Sequence, residues 1–233
     1  MTYTHVVFVG HHRERLLESI RTYRKYPIDR VILVTGDDDT SGERISRAVA
    51  MKVKADLSRL FEVTITKVDK RNIMNAASQV IDIVQKERAR GNECILNMSG
   101  SLRTYAIAAY IAGCILKCPM ITSIPRYDEE DQEVGIEEII ELPVIPVQFP
   151  RKDQVDLLEA IARGGGYLEE LVIALCPGAK ESPGHLAKER SRLSHHLKKI
   201  EEMGFVTREK VGKQVVFSLS PLGRLFEKVC TEG

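Results

Sequence analysis

The chain has 233 residues, of which 43% are hydrophobic and 29% are charged, and its formal net charge is +1. This composition is that of an ordinary soluble protein, long enough for one large domain or two modest ones with a real core. The near-neutral charge excludes a bulk attraction to nucleic acid, so any such binding must come from local patches.

The first 145 residues alternate between runs rich in β-branched or other apolar residues and helical patterns. The runs predict strands over His5–Gly10, Arg30–Gly36, Glu62–Val68, Cys94–Met98 and Met120–Ile124. The patterns between them predict helices over Arg13–Tyr23, Ser41–Leu60, Ile73–Arg90 and Leu102–Leu116. Such alternation implies right-handed crossovers, so we expect an α/β, Rossmann-like domain with a mostly parallel sheet and helices on both faces. A last run, Val134–Glu141, lacks a crossover helix and predicts an antiparallel edge strand.

A proline-rich linker follows this domain. Pro143, Pro146 and Pro150 cannot continue a helix or a central strand, so the segment is expected to be extended. We therefore divide the chain into a domain over residues 1–145, a linker over 146–153 and a second domain over 154–233. The second domain has predicted helices over Gln154–Arg163, Tyr167–Leu175 and Leu222–Val229, the last of them capped by Ser220.

The centre of the second domain has the outline of a small winged helix-turn-helix. An apolar stripe at three- and four-residue steps marks an amphipathic helix and is formed by Leu193, Leu197, Ile200 and Met203. Gly204 ends this helix, because glycine tolerates the left-handed backbone of a helix stop. Two predicted strands, Phe205–Glu209 and Gln214–Leu219, are joined by a basic turn over residues 210–213.

The polar side of this motif predicts binding to double-stranded DNA. Arginine, lysine, histidine and serine side chains contact phosphates and base edges in protein–DNA complexes. The candidate DNA-binding residues are Arg190, Ser191, Arg192, Ser194, His195, His196, Lys198, Lys199, Arg208, Lys210 and Lys213. The alternative is a solvated, charged helix of the kind that many globular domains carry.

Ligands of an open parallel sheet lie beyond the carboxyl ends of its strands. The loop Gly10–Arg13 follows the first strand, but it lacks the glycines of a dinucleotide fingerprint. Asp37–Asp39 follow the second strand. We expect them to complement a helix dipole rather than to hold magnesium, because no phosphate-transfer motif accompanies them.

The loop Asn97–Arg103 is the strongest candidate for a ligand site. Ser99, Gly100 and Ser101 are expected to place free backbone N–H groups at a helix start. Arg103 adds a charge there, and Arg13, His11 and His12 are expected to converge from the next loop. This pattern favours an anionic ligand, and the alternative is an ordinary helix cap by Ser101. The candidate ligand-binding residues are Gly10, His11, His12, Arg13, Gly36, Asn97, Met98, Ser99, Gly100, Ser101, Leu102, Arg103 and Arg126.

The apolar segments and the cysteines indicate the cellular compartment of the protein. The longest apolar stretch, Ala106–Leu116, is too short to span a bilayer, and no signal peptide precedes His5. The five cysteines are an odd number and form no C-x-x-C pair. We expect reduced, mostly buried thiols in a cytoplasmic protein with no membrane partner. No metal site is expected at Cys114 and Cys118, because no further Cys or His lies nearby.

Together these features resemble the CARF regulators, which are CRISPR-associated Rossmann-fold proteins fused to winged helix-turn-helix domains and known chiefly from archaea. The resemblance rests on the domain order, the absence of a dinucleotide fingerprint and the N-x-S-G-S-x-R loop at Asn97–Arg103, and it covers essentially the whole chain. Many relatives carry Gly-Gly-Thr-Lys where this chain has Gly100, Ser101, Leu102 and Arg103. Arg103 keeps the positive charge of the lysine, whereas Leu102 lacks the hydroxyl of the threonine.

The resemblance implies a ligand-responsive transcription regulator of CRISPR-linked genes, acting in antiviral defence. It implies a homodimer whose paired CARF domains bind a cyclic oligoadenylate across the dyad, with cyclic tetra-adenylate as the expected ring. Operator DNA would bind the winged helix, and no further cofactor and no metal is expected.

Two enzymatic alternatives remain open beside the regulator that we expect. CARF domains are also fused to ribonuclease modules marked by R-x4-6-H, a spacing that Arg190 and His195 match, but those modules are all-helical. The other alternative is slow, metal-independent cleavage of the cyclic ligand, with Ser99 or Arg103 positioning the phosphate.

Overall fold

The structure is a computed structural model that describes residues 2–212 and 214–231, with the backbone alone at Glu181. The chain divides into two compact units, residues 1–147 and 148–233. The division falls in a segment over residues 143–151 that has neither helix nor strand.

The N-terminal unit is built on one six-stranded sheet. Its strands are β1 (Tyr3–Phe8), β2 (Ile28–Gly36), β3 (Glu62–Val68), β4 (Glu93–Asn97), β5 (Met120–Tyr127) and β6 (Glu133–Leu142). They lie in the order β3-β2-β1-β4-β5-β6. Every neighbouring pair is parallel except β5 and β6, which are antiparallel. The predicted Rossmann-like, mostly parallel sheet and its antiparallel edge strand are therefore confirmed.

Helices cover both faces of this sheet, so its central strands are largely buried and mostly apolar. The helices are α1 (Arg13–Thr22), α2 (Ser41–Leu57), α3 (Ile73–Ala89) and α4 (Arg103–Leu116). On one face, Leu16 of α1 and Val53 of α2 join Val7 and Leu33 of the sheet in a buried cluster. In α4, a Cβ atom at Gly113 would overlap the side chain of Met120, so glycine allows this helix to lie close to β5.

Some element ends differ from the sequence expectation. Strand β1 begins at Tyr3 rather than His5, because Tyr3 and Thr4 already pair with β2 and β4. Helix α2 ends at Leu57 rather than Leu60, because the chain turns there and the amides of Leu60 and Phe61 both donate to the Leu57 carbonyl.

The C-terminal unit is a helical domain with one hairpin. Its elements are α5 (Lys152–Ala162), α6 (Leu168–Leu175), a short 3-10 turn (Pro177–Glu181), α7 (Pro183–Glu202), β7 (Val206–Val211), β8 (Gln214–Leu219) and α8 (Pro221–Thr231). The ring centroids of Phe205 and Phe226 lie 4.6 Å apart in its core. Strands β7 and β8 are antiparallel, and Val211 pairs with Gln214. The turn is thus shorter than predicted, and Lys213 lies outside the described residues.

The predicted helix stop at Gly204 and the predicted helix cap at Ser220 are confirmed, whereas α5 starts two residues earlier and α8 ends two residues later than predicted. Gly204 follows α7 with a φ of 77°, the left-handed conformation that glycine adopts at helix ends. The Ser220 hydroxyl accepts the Gly223 N–H at 2.9 Å and donates to the Gly204 carbonyl at 2.6 Å, so it caps α8 and ties its start to the end of α7. Across the described ranges, no helix is both long and apolar enough to cross a membrane.

His5 is a buried titratable group at the centre of the sheet. It lies in β1, and neither ring nitrogen has a hydrogen-bond partner among the residues that the structure describes. Burial lowers the pKa of His5 to about 3, so the imidazole is neutral in the folded protein at ordinary pH.

Acid should therefore destabilise the N-terminal unit through His5. The unfolded chain takes up the proton near pH 6.5, whereas folded His5 resists protonation down to about pH 3. The free energy of unfolding should therefore decrease as the pH is lowered across this window, by at most about 1.4 kcal/mol per pH unit. His5→Leu should flatten this dependence in denaturant titrations at several pH values. Equal slopes for the two proteins would refute the assignment.

Candidate ligand site and nucleic-acid interface

The loops after β1 and β4 lie side by side at the carboxyl edge of the sheet, because these strands are neighbours. A Cβ atom added to Gly10 would overlap the carbonyl oxygen of Gly100, and one added to Gly100 would overlap the side chain of Leu16. Glycine at position 10 allows a close backbone approach that any larger residue would prevent, whereas a side chain at position 100 would have to displace Leu16. The structure thus brings together the two loops assigned to one ligand site.

The side chain of Asn97 joins the loop after β4 to α1 by two hydrogen bonds. Its Nδ2 donates to the Ser19 hydroxyl and its Oδ1 accepts the Ser99 N–H, both at 3.0 Å. The Ser101 N–H donates to the Met98 carbonyl at 3.1 Å. The expectation that the amides of Ser99 and Ser101 are free is therefore wrong, because the loop uses them to hold its own shape.

Helix α4 starts at this loop without a side-chain cap. Leu102 is the N-cap residue, and the Ser101 hydroxyl donates back to the Met98 carbonyl at 3.0 Å. The alternative in which Ser101 caps the helix is therefore wrong. The Ser99 hydroxyl is buried and has no hydrogen-bond partner within residues 2–212 and 214–231. An uncapped helix N-terminus can accept an anion, and Ser99 precedes it in the same loop.

Arg103 provides an uncompensated positive charge at this edge. Its side chain is exposed, and in the described part of the chain it forms no ion pair. Arg13 differs, because its Nε donates to Asp56 of α2 at 2.9 Å and its guanidinium also contacts Glu14. The predicted convergence of Arg13 on the loop is not observed.

The other candidate cations of the ligand site also have partners. His11 Nε2 lies 3.0 Å from a backbone carbonyl of α2, and His12 Nδ1 lies 3.7 Å from a carboxylate of β6. Arg126 pairs with a carboxylate of α1 at 3.4 Å. The N–H of Gly36 donates to Glu43 at 2.7 Å and is therefore not available to a ligand.

The aspartates after β2 bind cations of the protein itself. Asp38 lies 2.9 Å from Lys70, whose hydrogen bond lowers the pKa of that carboxyl group, and Asp39 lies 2.6 Å from Arg47. Thr40 rather than an aspartate caps α2. No group of His, Cys, Asp and Glu fit to hold a metal ion occurs among the described residues.

Sequence reasoning missed Glu43, which lies wholly buried in the first turn of α2. The spacing of Thr40 and Glu43 is that of a capping box, in which the glutamate would bond the cap residue's own N–H. Here its carboxylate instead accepts hydrogen bonds from Gly36, Tyr105 and Lys70. The capping pattern was the available signal, and it gave no indication of these distant partners.

The charged side of α7 is exposed, as the apolar stripe predicts. Leu193, Leu197 and Ile200 are buried. The exposed candidates on this helix are Arg190, Ser191, Arg192, Ser194, His195, Lys198 and Lys199. His196 is only partly exposed, and its Nε2 lies 3.1 Å from Asp153 of α5.

Carboxylates of the same unit hold the arginines of this surface. Arg190 pairs with Glu169 of α6 at 2.7 Å. The Nε of Arg192 donates to Glu189 at 2.8 Å, and this bond lowers the pKa of the glutamate. The Cys176 thiol also donates to the Glu189 carboxylate, with its sulfur 3.3 Å from the oxygen.

The hairpin side of the surface has both paired and unpaired cations. Arg208 and Lys198 contact carboxylates of α7 at 2.9 and 3.9 Å. Lys199 and Lys210 are exposed and form no ion pair in the ranges that the structure describes. Since β7 and β8 form an antiparallel hairpin, this unit is not all-helical over the described residues.

Comparison with known proteins gives a family match and a full-length relative. Residues 3–129, more than half of the chain, match the family described as "HFX_2341_N:-like, N-terminal". An uncharacterized protein of Archaeoglobus fulgidus is 25% identical over 228 residues, which cover 97% of this chain and 97% of the relative.

Three solved structures are similar at lower identity. Protein VC1899 from Vibrio cholerae has a TM-score of 0.45 and 16% identity, over 97% of this chain and 64% of its own. Can2 from Sulfobacillus thermosulfidooxidans, solved in complex with cyclic tetra-adenylate, has a TM-score of 0.43 and 16% identity, over 97% and 63%. Csm6 from Enterococcus italicus, bound to cyclic hexa-2'-fluoro-hexa-dAMP, has a TM-score of 0.41 and 15% identity, over 85% and 55%. The chain thus spans less than two thirds of the length of these three proteins.

The contact between the two glycine loops should be sensitive to one methyl group. Gly10→Ala should lower the free energy of unfolding by at least about 1 kcal/mol, because the new Cβ overlaps the Gly100 carbonyl. Gly42→Ala is the matched control: its Cβ would meet only the His11 ring at 3.7 Å, and alanine favours the helix. Denaturant unfolding of the full chain measures both changes. Equal stability of the two variants would contradict the close approach.

Proposed function

The chain belongs to the HFX_2341_N-like, N-terminal family, and we propose that the domain defined by this family binds an anionic ligand of the cyclic oligoadenylate class. The proposal depends on one observation, the uncapped N-terminus of α4 beside the buried, unpartnered hydroxyl of Ser99. Arg103, at the first helical position, adds a charge that no carboxylate of the described residues neutralises. All the candidate ligand residues lie inside the family segment.

The chemistry of this edge suits a phosphodiester. A helix N-terminus favours negative charge, and arginine–phosphate hydrogen bonds are stronger than those between neutral groups. The resemblance of the loop Asn97–Arg103 to the CARF regulators selects a cyclic oligoadenylate from among the possible anions. A ring of four phosphates can share a two-fold axis with a homodimer, so that each protomer contributes the same loop once to a symmetric site.

Removing the Arg103 charge should weaken ligand binding. One charge-assisted phosphate contact contributes about 1.5–3 kcal/mol, so Arg103→Ala should raise the Kd for cyclic tetra-adenylate at least about tenfold. Arg126→Ala, at the same edge but already paired with Glu18, should have a smaller effect. Calorimetry with cyclic tetra-adenylate, cyclic hexa-adenylate and linear tetra-adenylate measures the affinities. A Kd above about 100 μM for every ring would reject the sensing function.

For the C-terminal unit we propose binding of double-stranded DNA as a winged helix-turn-helix. Helix α7 would be the recognition helix and the β7–β8 hairpin the wing. The support is the exposed row of basic and hydroxyl side chains on α7, together with the unpaired charges of Lys199 and Lys210. In a homodimer, two such helices about one DNA turn apart, ~34 Å, would read a pseudo-palindromic operator.

The two kinds of DNA contact should be separable by substitution. Lys199→Ala and Lys210→Ala should weaken binding to a random duplex and to a selected operator alike, and each should reduce the salt slope by about 1. Arg192→Ala should cost about 1–3 kcal/mol on the selected operator only. Arg163→Ala, at the residue that follows α5 and paired with Glu159, serves as the matched control. Anisotropy titrations at several salt concentrations give both quantities, and unchanged binding by all three variants would reject the assignment.

The two sites together support a ligand-responsive regulator of CRISPR-linked genes. Linkage requires that the ligand change operator affinity and that DNA change ligand affinity by the same factor. Prolonged incubation with labelled cyclic tetra-adenylate and with labelled RNA distinguishes this function from the enzymatic alternatives. Intact ring and intact RNA support a regulator, ring opening identifies a ring nuclease, and RNA degradation identifies a ribonuclease.

A further inference from the structure

The carboxylate of Glu43 is a buried junction at the carboxyl edge of the N-terminal unit. Its side chain is fully buried. One oxygen accepts the Gly36 N–H at 2.7 Å, and the other accepts the Tyr105 hydroxyl at 3.2 Å and the Lys70 ammonium at 3.1 Å. The carboxylate therefore joins the end of β2, the segment after β3 and the first turn of α4.

Two partners of this junction, Gly36 and Tyr105, are tightly placed. A Cβ atom at Gly36 would overlap both the Glu43 carboxylate and the Tyr105 hydroxyl. The Tyr105 ring is fully buried, and its centroid lies 6.4 Å from that of Phe8 in β1. Burial and the nearby Glu43 raise the pKa of Tyr105, so the phenol keeps its proton and acts as a donor.

Tyr105 is the third residue of α4, two positions after Arg103. A rotation or retreat of the first turn of α4 would move Arg103 and the N-terminal amides together, because they belong to one rigid turn. The Glu43–Tyr105 hydrogen bond ties that turn to the end of β2 and the start of α2, which are fixed in the core.

We propose that Glu43 and Tyr105 are positioning residues for the candidate ligand site. They hold the first turn of α4 so that Arg103 faces the ligand, without touching the ligand themselves. This inference rests on the proposed function for its effect on affinity. Its effect on the order of the α4 N-terminus is independent of any ligand.

The central variant is Tyr105→Phe, which removes only the hydroxyl. Its matched control is Tyr110→Phe on the same helix, where the lost hydroxyl donates to the Pro143 carbonyl at 3.0 Å, away from the N-terminal turn. Tyr105→Phe should raise the Kd for cyclic tetra-adenylate about threefold to tenfold, whereas Tyr110→Phe should leave it unchanged. Glu43→Gln should act in the same direction, and Tyr105→Phe carries the test if Glu43→Gln fails to fold.

A purely structural role is distinguished by a double-mutant cycle. Arg103→Ala is expected to weaken binding without abolishing it, so a second effect remains measurable. If Tyr105 acts through Arg103, Tyr105→Phe should change the Kd by less than about twofold in the Arg103→Ala background. Equal effects of Tyr105→Phe in both backgrounds, or none in either, would overturn the proposal.

Hydrogen exchange tests the positioning without a ligand. The amides that donate to carbonyls of the first turn of α4, beginning with Ala106 on Leu102, should exchange several-fold faster in Tyr105→Phe than in the wild type or Tyr110→Phe, because this turn opens more often. Unchanged exchange in this segment would overturn the inference. If no cyclic oligoadenylate binds the wild type but exchange is accelerated as expected, the sensing function fails while the role of Tyr105 in ordering the turn stands.

Discussion

A carboxylate can be buried in a protein only where hydrogen-bond donors converge on it, and Glu43 imposes that condition on the carboxyl edge of the N-terminal unit. The donors come from three separate segments, so these segments meet at one point beneath the first turn of α4, which begins at the ligand loop. The contact between Gly10 and Gly100 adds a constraint from the central strand. The candidate site is thus defined by the packing beneath it, more than by contacts among its exposed side chains.

Local rules predicted most of the fold. The buried strands were recognisable because parallel strands covered on both faces are apolar throughout, and β6 was recognisable because no helix precedes it. Gly204 and Ser220 were assigned correctly because helix stops and caps depend on one residue and its immediate neighbours. The errors lie at element ends, such as that of α2, where turn hydrogen bonds rather than hydropathy decide.

The candidate site was only partly predictable, because its side chains find partners far away in the sequence. The position of Asn97–Arg103 at the sheet edge followed from topology alone. The partners of Arg13 and Arg126 did not, since Asp56 reaches Arg13 only when α2 packs beside α1, and Glu18 reaches Arg126 only when α1 packs on the sheet. The junction at Glu43 was hidden for the same reason. Sequence reasoning identified which loop to examine but not which of its charges stay uncompensated.

The pairing of the α7 arginines with carboxylates of their own unit bears on how the proposed DNA-binding surface would search a genome. Strongly basic faces are drawn to any duplex and dwell on it, because non-specific affinity comes from uncompensated charge. Arg190, Arg192 and Arg208 each pair with a carboxylate of their own unit, so part of their charge is compensated before DNA arrives, and a phosphate or base edge must compete with that carboxylate. DNA competes successfully with these carboxylates only at a sequence whose phosphates and base edges match the positions of the arginines. Such a surface would leave incorrect sites quickly, and rapid release matters when the genome offers millions of competing sequences.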